Sequence, residues 1–142
     1  METKFNFKSQ MCTTVAQSEC LLALGLKKDT ADMGSVRDLV QITSNGKREV
    51  IFTFTPDNWE ANPDSIPRWS LHRLIEMMPT HIHRGEETFI REIRPISISY
   101  VPTTYEHHFF LFKEINNTYY DGIIATIEWL IKEGYFNKEY LV

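Results

Sequence analysis

The residues best suited to chemistry lie in the middle of the 142-residue chain. His81-Ile82-His83 sets two imidazoles at i and i+2, and on a strand both would point to one face. His107-His108 offers a third. Three imidazoles and a water suit zinc. No HExxH or comparable spacing accompanies them, and no carboxylate has a ligand role. The expectation is exposed histidines beside the turn at Arg84-Gly85 and no metal, with His81 and His83 as the candidate ligands should one bind.

Arginine gives the second signal. Of seven arginines, five fall between 68 and 94, where no lysine lies. Guanidinium forks hold phosphate and carboxylate better than ammonium does. Trp69 and Phe89 add planes on which a base could stack. Arg68, Trp69, Arg73, Arg84, Arg91 and Arg94 are therefore candidate ligand-binding residues for an anionic metabolite or nucleotide. Glu76, Glu86, Glu87 and Glu92 are interleaved and leave a formal +1, so Arg–Glu pairing on a solvated face competes with that reading.

Catalytic signatures do not accompany these groups. There is no G-x-S-x-G elbow, P-loop or G-x-G-x-x-G. Ser70, two residues before His72, reads as a helix cap. Asp57, Glu60 and Asp64 share a loop without EF-hand spacing. No catalytic residue and no cofactor are expected.

The elements that must position these residues follow from local signals. Thr14-x-x-Gln17 forms a capping box for a helix over 14–24, with Ala16, Cys20, Ala23 and Leu24 on one face and Gly25 as its stop. Asp38–Ser44 and Lys47–Phe54 flank Asn45-Gly46, a hairpin signal. That turn sets Leu39 opposite Phe52 and Gln41 opposite Val50. PDNWEANPDSIP is a loop packed down by Trp59. Ser70 caps a helix whose Leu71, Leu74, Ile75 and Met78 recur at helical spacing, with Trp69 stapled to Leu74 and Pro79 as its end. Short strands follow at 88–93, 96–100 and 107–115. A last helix over 121–132 turns Ile123, Ile124, Ile127, Leu130 and Ile131 inward and stops at Gly134. The order α-β-β-α-β-β(β)-α predicts an α+β fold: an antiparallel sheet of about four to five strands with three helices, in one domain over 1–142.

Composition excludes further classes. The chain is 42% hydrophobic with a net charge of −4, too apolar for disorder and too evenly charged to coat nucleic acid. No run of about 20 apolar residues exists to span a membrane. The first twenty residues lack a signal-peptide core. Cys12 and Cys20 match neither a zinc pair nor a disulfide framework, which predicts reduced thiols in a cytoplasmic protein. Phe109-Phe110-Leu111-Phe112 and Val50–Phe54 are apolar on both strand faces. Such strands need helices on both sides or a second chain, and a symmetric homodimer is the expected form.

GLKKDTADM (25–33), IPRWSLHRLIEMMP (66–79) and IEWLIKEGYFNKEYL (127–141) together resemble a family of small uncharacterised proteins of gut Bacteroidetes, their prophages and other mobile elements. They make up 38 of the 142 residues. The resemblance implies a bacterial, cytoplasmic accessory protein of a phage or mobile element and carries over no catalytic residue. The first dozen residues and 37–54 fall outside it. Packing accounts for most matched positions, and Asp32 suits a turn cap. The expected function is a non-enzymatic, protein-binding accessory protein whose partners are itself and a host or mobile-element protein. The alternative is a small-anion binding protein using the arginines.

Overall fold

The structure, a computed structural model, describes residues 9–43, 46–53, 64–95, 97–103, 110–116 and 118–142, with the backbone course alone for 37–43 and 46–53. Helix α1 spans Val15–Ala23. Its capping box forms as expected: the Thr14 hydroxyl accepts the Gln17 N–H at 3.1 Å, and the Gln17 side chain accepts the Thr14 N–H at 3.0 Å. Gly25 ends it at φ 102°, a left-handed conformation that favours glycine. The inward face differs from the expected one. Ser18 and Leu21 are buried, whereas Ala16, Cys20 and Ala23 are exposed. A serine enters the core because its hydroxyl meets that of Thr13 at 2.7 Å, so neither is left unsatisfied.

Strands β1 (Met33–Thr43) and β2 (Gly46–Thr53) form the expected antiparallel hairpin in another register. Val50 lies opposite Val36 and Phe52 opposite Gly34, not opposite Gln41 and Leu39. Between Asp38 and Ile42 β1 carries three residues where β2 passes directly from Arg48 to Lys47, a bulge that shifts the pairing. Gly46 pairs with Thr43 and is a strand residue. Asn45, Phe54 and residues 56–63 of the Trp59 loop lie outside the described residues, and the loop's expected end at Ile66-Pro67 is strand instead. Strand β3 (Ile66–Arg68) pairs with the other edge of β1, giving the order β2-β1-β3.

Helix α2 spans Leu71–Met77 under the Ser70 cap, whose hydroxyl accepts the Arg73 N–H at 3.1 Å. Met78 turns extended ahead of Pro79, as the residue before a proline prefers. Trp69 and Leu74 are both fully buried.

The second sheet runs β4 (His81–Arg84), β5 (Glu87–Arg94), β6 (Ser97–Pro102), β7 (Phe112–Ile115), each antiparallel to its neighbour. Of the expected strand at 107–115, residues 107–109 lie outside the described residues and 112–115 form β7. Helix α3 (Tyr119–Glu133) starts two residues before Asp121, because Thr118 caps it, and stops at Gly134 with φ 80°. Ile123, Ile124, Ile127 and Leu130 are buried and Ile131 is half-buried, close to the expected stripe. Each such side chain contributes about 1.5–3 kcal/mol. α3 packs on α1, α2, β6 and β7. Its Trp129 stacks on Phe112, ring centres 4.5 Å apart, with Tyr135 and Tyr100 beside it. The class is α+β, as the pattern of elements predicts; among the described residues the strands form two antiparallel sheets, of three and four strands, rather than the expected single sheet of four to five. Among the described residues no helix is long and apolar enough to cross a membrane.

Candidate functional site

Three distant parts of the chain meet at one place on the surface. The 3₁₀ turn Lys28–Thr30 follows α1, and a second 3₁₀ turn, Lys138–Tyr140, follows α3. Backbone bonds clip the two segments together: Lys27 N–H to Tyr140 O at 2.9 Å and Val142 N–H to Gly25 O at 2.8 Å, around a Leu26–Leu141 bridge. Leu26 is buried beneath it. α2 closes the third side. Asp32 accepts the Ser70 N–H at 2.9 Å on one carboxylate oxygen and the Ser70 hydroxyl on the other. Asp32 thus ties the first turn to the start of α2, a more specific cap than its position in the sequence predicts. An anion there also suits the positive end of the helix.

Trp69 pins the floor. Its indole N–H donates to the Thr30 hydroxyl at 3.0 Å, and that hydroxyl donates to Lys27 O at 2.6 Å. Thr13 grips the Trp69 backbone from both sides, donating its N–H to Trp69 O at 2.9 Å and accepting the Trp69 N–H on its hydroxyl at 3.0 Å. The result is a groove of about 270 Å³ lined by Lys27, Asp29, Thr30, Arg73, Glu76, Met77, Glu139 and Tyr140. Two cations and three carboxylates ring a buried methionine and a half-buried tyrosine. All eight lining residues belong to segments 25–33, 66–79 and 127–141. Backbone bonds and a buried tryptophan hold the walls, so the charges sit on a pre-formed frame.

The arginines singled out by the sequence do not gather there. Only Arg73 of the six candidate residues lines the groove. Arg68 is buried on β3, donating to the Ser35 hydroxyl at 3.0 Å and to the Thr13 carbonyl. Trp69 and Phe89 are buried in the core and offer no stacking plane to a ligand. Arg84 is exposed beside the β4–β5 turn. Arg91 reaches under α2 and donates to the carbonyls of Ile75 at 2.8 Å and Met78 at 3.1 Å. It satisfies acceptors that the helix end leaves open. Arg94 is exposed and pairs with Glu92 at 2.7 Å, the surface Arg–Glu pairing that the interleaved glutamates foreshadow.

His81 and His83 share one face of β4, as strand alternation predicts, and both are exposed. Each Nδ1 lies 3.1 Å from a threonine hydroxyl, Thr80 for His81 and Thr88 for His83. His107 and His108 lie outside the described residues. Among the described residues no group of three or more His, Cys, Asp or Glu is placed to hold a metal ion.

The groove escapes a reading by motif because its members come from three segments and have ordinary surface chemistry. Comparison with protein-family models, curated proteins and solved structures returned no match.

Proposed function

We propose that this protein is a non-enzymatic accessory protein that binds a partner polypeptide, and that the groove between α2 and the two 3₁₀ turns is where the partner docks. The observation that carries this reading is the convergence of three separate segments on one mixed-charge groove. Arginine, tyrosine and methionine are enriched at protein interfaces, where charges of both signs fix register and exclude wrong partners. The resemblance to mobile-element proteins supports a bacterial or phage origin and a host or mobile-element protein as partner. Neither cysteine forms a disulfide, Cys12 being buried and Cys20 exposed, which fits a reducing cytoplasm.

The test uses Glu76→Arg combined with Glu139→Arg, both exposed and therefore of little consequence for folding. Affinity capture from a host lysate is expected to recover one stoichiometric protein with the wild type and to lose it with the variant, at unchanged melting temperature. Equal capture by both, or no stoichiometric partner, overturns the reading. Release of a small anion on gentle denaturation, seen by mass spectrometry, would favour the metabolite-binding alternative instead.

A further inference from the structure

The four-stranded sheet has one face covered by helices and an opposite face whose centre, Ser99, is 3% exposed while Ile90, Lys113 and Ile115 around it are open to solvent. On the covered face lie Ile82, Phe89, Arg91, Ile93, Ile98, Tyr100 and Phe112, with α3 over β6 and β7 and the end of α2 held by Arg91. The opposite face carries, in register across the strands, His81–Ile90–Val101, then Glu92–Ser99–Lys113, then Arg94–Ser97–Ile115. Ile90 is 40% exposed and Ile115 63%. Phe110, 51% exposed, lies against the Lys113 ammonium, which sits 4.5 Å from its ring centre.

We propose that this face is the contact between two copies of the chain, related by a two-fold axis running along β6. The face is self-complementary in charge. Glu92 on β5 and Lys113 on β7 lie at the same level on either side of Ser99. A two-fold axis along β6 exchanges those two strands, so Glu92 of each copy comes over Lys113 of the other. Arg94 then comes over Ile115, and its aliphatic stem can cover that apolar group. Val101 meets Val101, and Ser99, already 3% exposed between Glu92 and Lys113, adds no bulk at the centre. Sheets packed face to face cross at about 30°, so the axis sits about 15° from the strand direction. The same axis sets no charge against a like charge at the central level. With the axis along β6, β5, β6 and β7 of the two copies overlap and β4 of each lies beyond its partner's β7. Three strands about 4.8 Å apart and about six residues long give a shared face of about 15 by 20 Å. That footprint is smaller than a standard stable interface, so the dimer is expected to be weak and to form at about 100 μM or above. The contact is independent of the groove.

Light scattering on the full chain, from about 1 to about 500 μM, is expected to show a rise from 16.7 kDa toward twice that value. Glu92→Lys or Lys113→Glu alone creates two like-charge contacts by symmetry and is expected to weaken association about tenfold or more. Glu92→Lys with Lys113→Glu is expected to restore it to within about threefold. Circular dichroism checks that all variants fold. A mass of 16.7 kDa throughout overturns the proposal and leaves the face to a different partner. A dimer indifferent to both single swaps, or one weakened by them and not restored by the pair, overturns it as well.

Discussion

Arg91 and Arg94 sit three residues apart on β5 and point to opposite faces of one sheet. Arg91 spends its guanidinium on two carbonyls at the end of α2. Arg94 stands in solvent, paired with Glu92. The hydrophobic residues divide the same way. Ile98 is 3% exposed under α3, whereas Ile115 on the neighbouring strand is 63% exposed on the other face. One face of the sheet therefore holds the fold together, and the other carries a surface Arg–Glu pair and exposed isoleucines. A residue's type does not say which role it has; its parity along the strand does. The open face is the one that can change its partner without a cost in stability.

The sharpest way to break this contrast is to truncate one isoleucine on each face. Ile98→Ala is expected to cost about 3 kcal/mol, the usual range for an emptied core site. Ile115→Ala is expected to stay within about 0.5 kcal/mol when measured below the concentration at which copies associate. Urea unfolding reads both. A cost above about 2 kcal/mol for Ile115→Ala would mean that the open face is packed within a single chain. The arginines repeat the test at smaller scale. Arg91→Met is expected to cost about 2 kcal/mol, because two helix-end carbonyls lose a charged donor. Arg94→Met is expected to cost about 0.5 kcal/mol or less, as exposed ion pairs do. Equal costs would erase the distinction between the faces.

What the sequence shows of this architecture is what local chemistry decides. The caps at Thr14 and Ser70 and the stop at Gly134 each depend on residues within one helical turn, and each is legible. The stripe on α3 is legible too, because its periodicity is strong. The inward face of α1 is not, since a Thr13–Ser18 hydroxyl pair replaces the apolar residues that spacing favours. The hairpin register is not, since a bulge in β1 leaves no mark in composition. The fate of each arginine depends on a partner elsewhere: Arg68 on Thr13, 55 residues away, and Arg91 on Ile75 and Met78. The groove is hidden for the same reason. Lys27, Arg73 and Glu139 become neighbours only through the clip between residues 25–27 and 140–142.

Alkaline pH probes the covered face. The Tyr100 hydroxyl donates to Pro79 O at 2.7 Å, and burial pushes its ionisation well above the ordinary tyrosine value, opposed in part by the Arg91 charge. A raised folded value means that the contribution is complete below about pH 10, the unfolded value, and is lost as pH rises above it. Tyr100→Phe cannot ionise and is expected to lose stability less steeply above that pH, although it starts lower for want of one hydrogen bond. Melting temperatures between about pH 9 and 11 test this. Parallel curves for the two proteins would mean that Tyr100 ionises as freely as in water and that the face is wet.

The smallest expected effect belongs to an exposed carboxylate at the start of α3. Asp121 accepts the Thr118 hydroxyl at 2.7 Å and the Gln17 side-chain amide at 2.8 Å. Those two bonds, the threonine first, hold its carboxyl below the usual range against a slight opposing effect of burial. A depressed folded value means that the contribution is present above about pH 4 and is lost as pH falls through the folded value. Gln17 already serves the α1 capping box, so this contact links the starts of two helices through one side chain. Asp121→Asn is expected to lower the melting temperature slightly at pH 7 and to flatten its fall between about pH 5 and 3. Solvent screens the group, so the difference is expected to be small beside those of Ile98 and Arg91. A steeper acid loss in the variant than in the wild type would reverse the sign and show that the carboxylate is destabilising where it stands.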